Sequence, residues 1–153
     1  MKVIIFCGGK GTRLKEETEF KPKPMVEIGG IPIMWHIMQR YAHYGFKDFV
    51  LPLGYRGDVI KQFFHGYKTR NSDFTIDLGS GDTTVHNSDG CVDWKVTLCD
   101  TGENTEKGAR IKRIAAHLGE GPFMATYGDG VSDIDISALL EFHKSQGKLG
   151  TFT

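Results

Sequence analysis

KVIIFCGGKGTRL, residues 2–14, joins an apolar run to a glycine-rich turn and a cation. Val3, Ile4, Ile5 and Phe6 follow one another without a polar residue, and the first three are β-branched, the pattern of a strand buried on both faces in a parallel sheet. Gly8, Gly9 and Gly11 then let the backbone turn tightly and approach a ligand closely. Amides exposed in such a turn, with Arg13 beside them and Lys21 and Lys23 returning from the KPKP segment, form a concave cationic surface suited to polyphosphate. Two familiar phosphate motifs are excluded. No Gly-Lys-Thr or Gly-Lys-Ser supplies a P-loop, and the G-x-G-x-x-G spacing begun at Gly9 and Gly11 meets Leu14 where its third glycine belongs.

Working outward, strand and helix patterns alternate. Pro32 suits a first helical turn, and Ile33, Ile37, Tyr41 and Tyr44 repeat at helical spacing until Gly45. DFVLPL reads as a second strand and Asp58 to His65 as a short helix. FTIDL, GSGD and TTVH read as a hairpin, NSDG as a turn, and WKVTLC as a strand. An amphipathic helix is predicted from Thr105 to Leu118, then the strand PFMATY, the helix ISALLEFHKSQ and a last strand in KLGTFT. Strands separated by helices predict an α/β fold, a Rossmann-like, mainly parallel sheet with helices on both faces.

Composition narrows the partners. The chain has 153 residues, suited to one domain. Its 19 Lys plus Arg balance 19 Asp plus Glu, so no global field draws it to nucleic acid or an anionic membrane, and function must lie in local clusters. No apolar run approaches the ~18 residues a bilayer span needs, and Lys2 with four apolar residues is no signal peptide. Cys7, Cys91 and Cys99 are odd in number and lack C-x-x-C spacing, against a disulfide framework or a zinc site and in favour of a reducing cytoplasm.

Ligands of such sheets bind outside the carboxyl ends of the strands, where three loops are expected: Gly8 to Arg13, TGENTEKGAR and GDG. Asp129, between Gly128 and Gly130, offers one carboxylate there, and Mg²⁺ takes one or two protein carboxylates with water and phosphate; an ordinary Asp-Gly turn is the alternative. Asp133 and Asp135 spell Asp-x-Asp, but Asp135 directly precedes a helix and reads as its N-cap. In TGENTEKGARIKR, Thr105 and Arg110 fit either a nucleotide-lining loop or, respectively, a helix cap and a solvated helix residue. Pro22 and Pro24 lock the backbone around Lys23, whereas Lys21 reads as a helper or bystander. The histidines have no metal-site spacing, and Met34, Trp35 and Met38 read as helix packing.

GGxGTRL followed by PKP resembles the signature of the sugar-nucleotide pyrophosphorylases, nucleotidyltransferases that join a sugar 1-phosphate to an NTP. KPKPMVEIGGIPIMWHIMQRYAHYGFKDFVLPLGYRG, DTGENTEKGARIKR and TYGDGVSDIDI are most similar to the glucose-1-phosphate cytidylyltransferases, with a less familiar stretch from about Thr69 to Asp93. The resemblance implies CTP and glucose 1-phosphate as substrates and Arg13 and Lys23 as catalytic electrophiles on the phosphates. It puts the nucleotide on Phe6, Cys7, Gly8, Gly9, Lys10, Gly11, Thr12 and Arg13, with Lys23, Thr105, Arg110 and Gly128, and Mg²⁺ on Asp129.

A phosphate monoester is largely dianionic near neutrality, so the nucleophile needs no general base and catalysis is expected to be positioning plus charge neutralisation. In the family the chain continues into a sugar pocket, an E-K-P-type lysine and a second metal-binding aspartate; residues 1–153 therefore read as the nucleotide-binding, N-terminal part of a longer domain, its sheet incomplete. An incomplete sheet exposes an edge, which favours a homo-oligomer or a complementing chain. A related transferase using another NTP and an NTP-binding module without turnover are the alternatives. A NAD-type oxidoreductase is disfavoured by Leu14.

Overall fold

A computed structural model describes residues 1–9, 20–87 and 89–153. In chain order these form β1 (Val3–Phe6), a 3-10 turn (Lys23–Met25), β2 (Glu27–Ile28), β3 (Ile31–Pro32), α1 (Ile33–His43), β4 (Asp48–Leu53), α2 (Gly57–His65), α3 (Tyr67–Arg70), β5 (Phe74–Ile76), β6 (Thr83–Val85), β7 (Lys95–Asp100), α4 (Lys107–Arg113), α5 (Ala115–Leu118), β8 (Met124–Tyr127) and α6 (Ile136–Gln146). Four strands make one sheet in the order β7-β4-β1-β8, and every neighbouring pair is parallel.

The opening strand is central because both its faces are apolar. Val3 and Ile5 face one core with Phe49, Leu51, Met34, Ile37, Met38 and Ile60, which brings α1 and α2 to that side. Ile4 faces the other with Val50 and Ile114, joined by Phe6, Ile111 and Leu118, which brings α4 and α5 to the opposite side. The helices thus cover both faces, as the fold class predicts. Right-handed crossovers account for this division: the chain steps outward from β1 to β4 to β7, then returns across the sheet to β8, so the return helices must lie on the other face. Burying each of these aliphatic side chains contributes roughly 1.5–3 kcal/mol, several times what helix propensity adds per residue.

Most predicted elements are present, including the β5–β6 hairpin and the N-cap at Asp135, whose carboxylate accepts the Ala138 amide at 2.9 Å. Trp35 packs against Phe63, Phe64, Tyr67 and Trp94, and Met34 and Met38 are buried, the packing role expected of them. Three expectations are corrected. KLGTFT forms no strand: it joins no ladder, and Leu149 and Phe152 are fully exposed, so nothing there offsets the cost of ordering it. The helix predicted from Thr105 begins at Lys107 and is interrupted at Ile114, whose amide is shared between the Arg110 and Ile111 carbonyls while its side chain plugs the space beside Ile4 and Val50. Pro32 ends β3 rather than entering a helical turn; Gly29 and Gly30, both at positive φ, close a small β2–β3 hairpin that the Gly-Gly pair between Ile28 and Ile31 signals in retrospect.

Candidate functional site

The loops that leave β1, β7 and β8 meet over a cavity of about 570 Å³. Phe6, Cys7, Gly8 and Gly9 line it from β1, Lys23 and Pro24 from the 3-10 turn, Glu103, Asn104, Thr105, Glu106, Lys107 and Arg110 from the β7–α4 segment, and Tyr127 and Asp129 from the end of β8.

Lys23 reaches this cavity because its turn is anchored. Pro22 is extended at φ −68°, and Pro24 and Met25 are buried beneath. Its Nζ lies 3.6 Å from Oδ2 of Asp129, with the two side chains 24% and 44% exposed. That is an ion pair rather than a hydrogen bond, open to solvent and to a ligand. Gly128 makes the approach possible: its amide donates to the Phe6 carbonyl at 3.1 Å, and a Cβ there would lie 2.9 Å from that oxygen, 3.0 Å from Pro24 Cγ and 3.2 Å from Cys7 Sγ. A side chain at position 128 would wedge the end of β8 away from the lysine turn.

Arg110 forms the floor. It is 4% exposed, and its Nη1 donates to the Leu53 carbonyl (2.9 Å) and Thr101 Oγ1 (2.6 Å), its Nη2 to the carbonyls of Gly8 and Glu103 (both 3.1 Å). One guanidinium therefore ties together the end of β4 and the segments following β1 and β7. Gly8 and Gly54 leave it room: a Cβ on either would collide with the guanidinium. Burial, then the neighbouring Arg113 charge, lowers the Arg110 pKa from its ordinary value. Thr105 serves the same scaffold, its hydroxyl donating to the Thr101 carbonyl at 2.5 Å and accepting from Arg113 at 2.6 Å. It is not the helix cap; Glu106 occupies that position, with no side-chain capping bond.

At the mouth, Lys107 Nζ donates to Tyr127 Oη at 2.9 Å, and that phenol, aided at longer range by Glu106 and Asp129, raises the lysine pKa. The Tyr127 ring leans on Phe6, with centroids 6.1 Å apart. Cys7 lies under the floor with its thiol 3.6 Å from Met34 Sδ; burial first, then the Asp129 charge, pushes its pKa well above the thiol range.

Of the residues predicted for the site, Phe6, Cys7, Gly8, Gly9, Lys23, Thr105, Arg110 and Asp129 line the one cavity, and Gly128 packs directly behind it. Lys10, Gly11, Thr12 and Arg13 lie outside the described residues. Lys21 pairs with Glu27 at 2.7 Å and takes no part in the lining. Pro24, Glu103, Asn104, Glu106, Lys107 and Tyr127 line the cavity without an individual site role assigned from sequence, although Pro24 braces Lys23, the TGENTEKGAR loop contains Glu103, Asn104, Glu106 and Lys107, and Tyr127 immediately precedes the GDG turn. Among the described residues, no cluster of three or more His, Cys, Asp or Glu side chains could hold a metal, and no helix is long and apolar enough to cross a membrane.

A wound parallel sheet carrying a charged, glycine-walled cavity at its carboxyl edge is an α/β domain with a cavity where ligands of such sheets bind. Residues 2–153 match the family model described as nucleotidyl transferase, and the chain belongs to that family. It is 49% identical over 154 aligned residues to the glucose-1-phosphate cytidylyltransferase of Salmonella typhimurium, covering 100% of this chain and 60% of that protein. It is 40% identical to the probable glucose-1-phosphate cytidylyltransferase of Bacillus subtilis, covering 100% of this chain and 59% of the relative. The chain therefore spans about 60% of the length of these relatives. Among solved structures, HddC from Yersinia pseudotuberculosis complexed with GMP-PN matches at 26% identity with a TM-score of 0.66, over 93% of this chain and 53% of that one. A UDP-glucose pyrophosphorylase complexed with UDP-glucose shares the fold at 15% identity and a TM-score of 0.67, over 95% of this chain and 54% of that one.

Proposed function

We propose that this chain is the nucleotide-binding, N-terminal part of a glucose-1-phosphate cytidylyltransferase, which transfers a cytidylyl group from CTP to α-D-glucose 1-phosphate and releases pyrophosphate. The observation that carries it is the meeting of Lys23 and Asp129, 3.6 Å apart, over a cavity walled by glycine backbone. The names of the relatives support CTP and a glucose 1-phosphate.

In the proposed reaction a phosphate oxygen of glucose 1-phosphate attacks the α-phosphorus of CTP, a new P–O bond forms, and the bond to the β-phosphate breaks with its electron pair leaving on pyrophosphate. Mutual repulsion of the anions is the obstacle. Lys23, held on its proline-braced turn, answers charge at the α-phosphate, with Arg13 assigned to the same task on the triphosphate. Phe6 to Gly9 supply a backbone wall, Lys10, Gly11 and Thr12 are assigned to the nucleotide with them, Gly128 is the close wall, and Thr105 and Arg110 hold the β7–α4 segment against the nucleotide. Asp129 fits Mg²⁺ as a single, solvent-reachable carboxylate, since that ion takes the rest of its oxygens from phosphate and water. Bound there, Mg²⁺ would supply charge neutralisation at the phosphate oxygens. A homo-oligomer or a complementing chain belongs to the same proposal, as does a reducing cytoplasm, which the free Cys7, Cys91 and Cys99 suit.

Calorimetric titration with CTP, UTP, dTTP and GTP, beside a pyrophosphate-release assay with CTP and glucose 1-phosphate, tests it. Preferential CTP binding with release is the expected result. CTP binding without release would assign a binding module, and preference for another NTP a related transferase.

A further inference from the structure

Three cations among the described residues line the cavity, and they are engaged differently. Lys23 faces Asp129, and Arg110 spends its fork on carbonyls of the scaffold. Lys107 is exposed and rests on a neutral phenol, Tyr127 Oη, at 2.9 Å. Neither Thr105 nor Arg113 depends on it, since those two bond to each other and to Thr101. A lysine so placed holds no part of the fold together, yet its ammonium is kept at the cavity mouth by a partner that offers no charge in return.

Resting on the nucleotidyl-transfer function proposed above, we infer that Lys107 is a phosphate-binding residue, which leaves the Tyr127 hydroxyl for a phosphoryl oxygen when substrate enters. The exchange replaces a hydrogen bond to a neutral group by one to an anion, shorter and roughly twice as strong. The long lysine stem makes the move without displacing backbone, and the Phe6 ring behind Tyr127 keeps the phenol in place as the resting partner. Both substrates of the proposed reaction carry phosphate: the triphosphate of CTP and the monoester of glucose 1-phosphate.

Wild type, Lys107→Met, Lys107→Arg and Tyr127→Phe are titrated calorimetrically with CTP, with cytidine and with glucose 1-phosphate, each in magnesium buffer at low and high salt. Lys107→Met is expected to weaken CTP or glucose 1-phosphate by about tenfold or more, while cytidine stays within about twofold. Lys107→Arg restores most of the loss, and the loss shrinks at high salt because it is electrostatic. A deficit in CTP assigns the lysine to the nucleotide's phosphates, and one in glucose 1-phosphate to the sugar phosphate. Tyr127→Phe leaves phosphate affinity undiminished, since it frees the ammonium. Unchanged affinity for both phosphates in Lys107→Met overturns the inference, as does an equal loss for cytidine and CTP, the mark of a packing defect. Wild type that binds none of the three ligands is a different failure, because it removes the nucleotidyl-transfer function itself.

Discussion

Arg110 is a charge taken almost entirely out of water, tolerable because four oxygens surround its fork. Lysine cannot reproduce that geometry, since an ammonium is a point donor rather than a planar fork. Arg110→Ala should cost about 3 kcal/mol or more, because buried carbonyls are left unpaired, and Arg110→Lys should recover only part of it; urea unfolding measures both. Lys23→Ala and Asp129→Ala should behave in the opposite way. Both side chains are partly exposed, so unfolding midpoints should move little, while turnover falls by a factor of roughly 10² or more where charge develops. Activity within a few-fold of wild type in either folded variant would remove its assigned role. Cys7 carries a pH prediction. Its folded pKa is raised by burial and then by Asp129, so the folded state keeps a proton that the unfolded chain releases above about 9. Its contribution is present below that pH and is lost progressively as pH rises from about 9 toward the raised folded value, so stability should fall as pH rises above about 9, less steeply in Cys7→Ala.

Among the elements, the end of β8 and the α4–α5 pair show how a local pattern is redirected by packing. The apolar spacing of Ile111, Ile114 and Leu118 reads as one helix, but all three serve one face of the sheet, and the chain turns at Ile114 to keep them there. Ile114→Ala should therefore destabilise by about 2–5 kcal/mol, shifting the urea midpoint with the slope unchanged. At β8, the tight fit of Gly128 against Phe6, Pro24 and Cys7 predicts that Gly128→Ala lowers nucleotide affinity more than stability, because the strand end can yield but then carries Asp129 away from Lys23. Calorimetry beside thermal unfolding separates the two effects. The KLGTFT segment failed as a strand for the complementary reason: alternation supplies β propensity, but pairing needs a neighbour within reach.

For the whole molecule, the sheet ends in two strands, β7 and β8, each paired on one side only among the described residues. Phe123 and Val131, on either side of β8 in sequence, are exposed, as are Phe142, Leu149 and Phe152 further along the chain. Edges and apolar surface of this kind favour association, so sedimentation velocity should show mass rising with concentration, and a monomer over the whole accessible range would remove the oligomer from the proposal. What the residue order alone established was whatever depends on near neighbours: the buried β1, the proline-braced Lys23, the alternation of strand and helix, and Asp129 in a strand-end turn. Only the folded chain decided that β8 joins β1 on the side opposite β4, that Arg110 turns inward to the end of β4 and the loops after β1 and β7, and that Lys107 meets Tyr127. Periodicity and turn chemistry are written within a few residues, whereas those contacts join segments distant in sequence and arise only when burial of both faces of one strand draws the segments together.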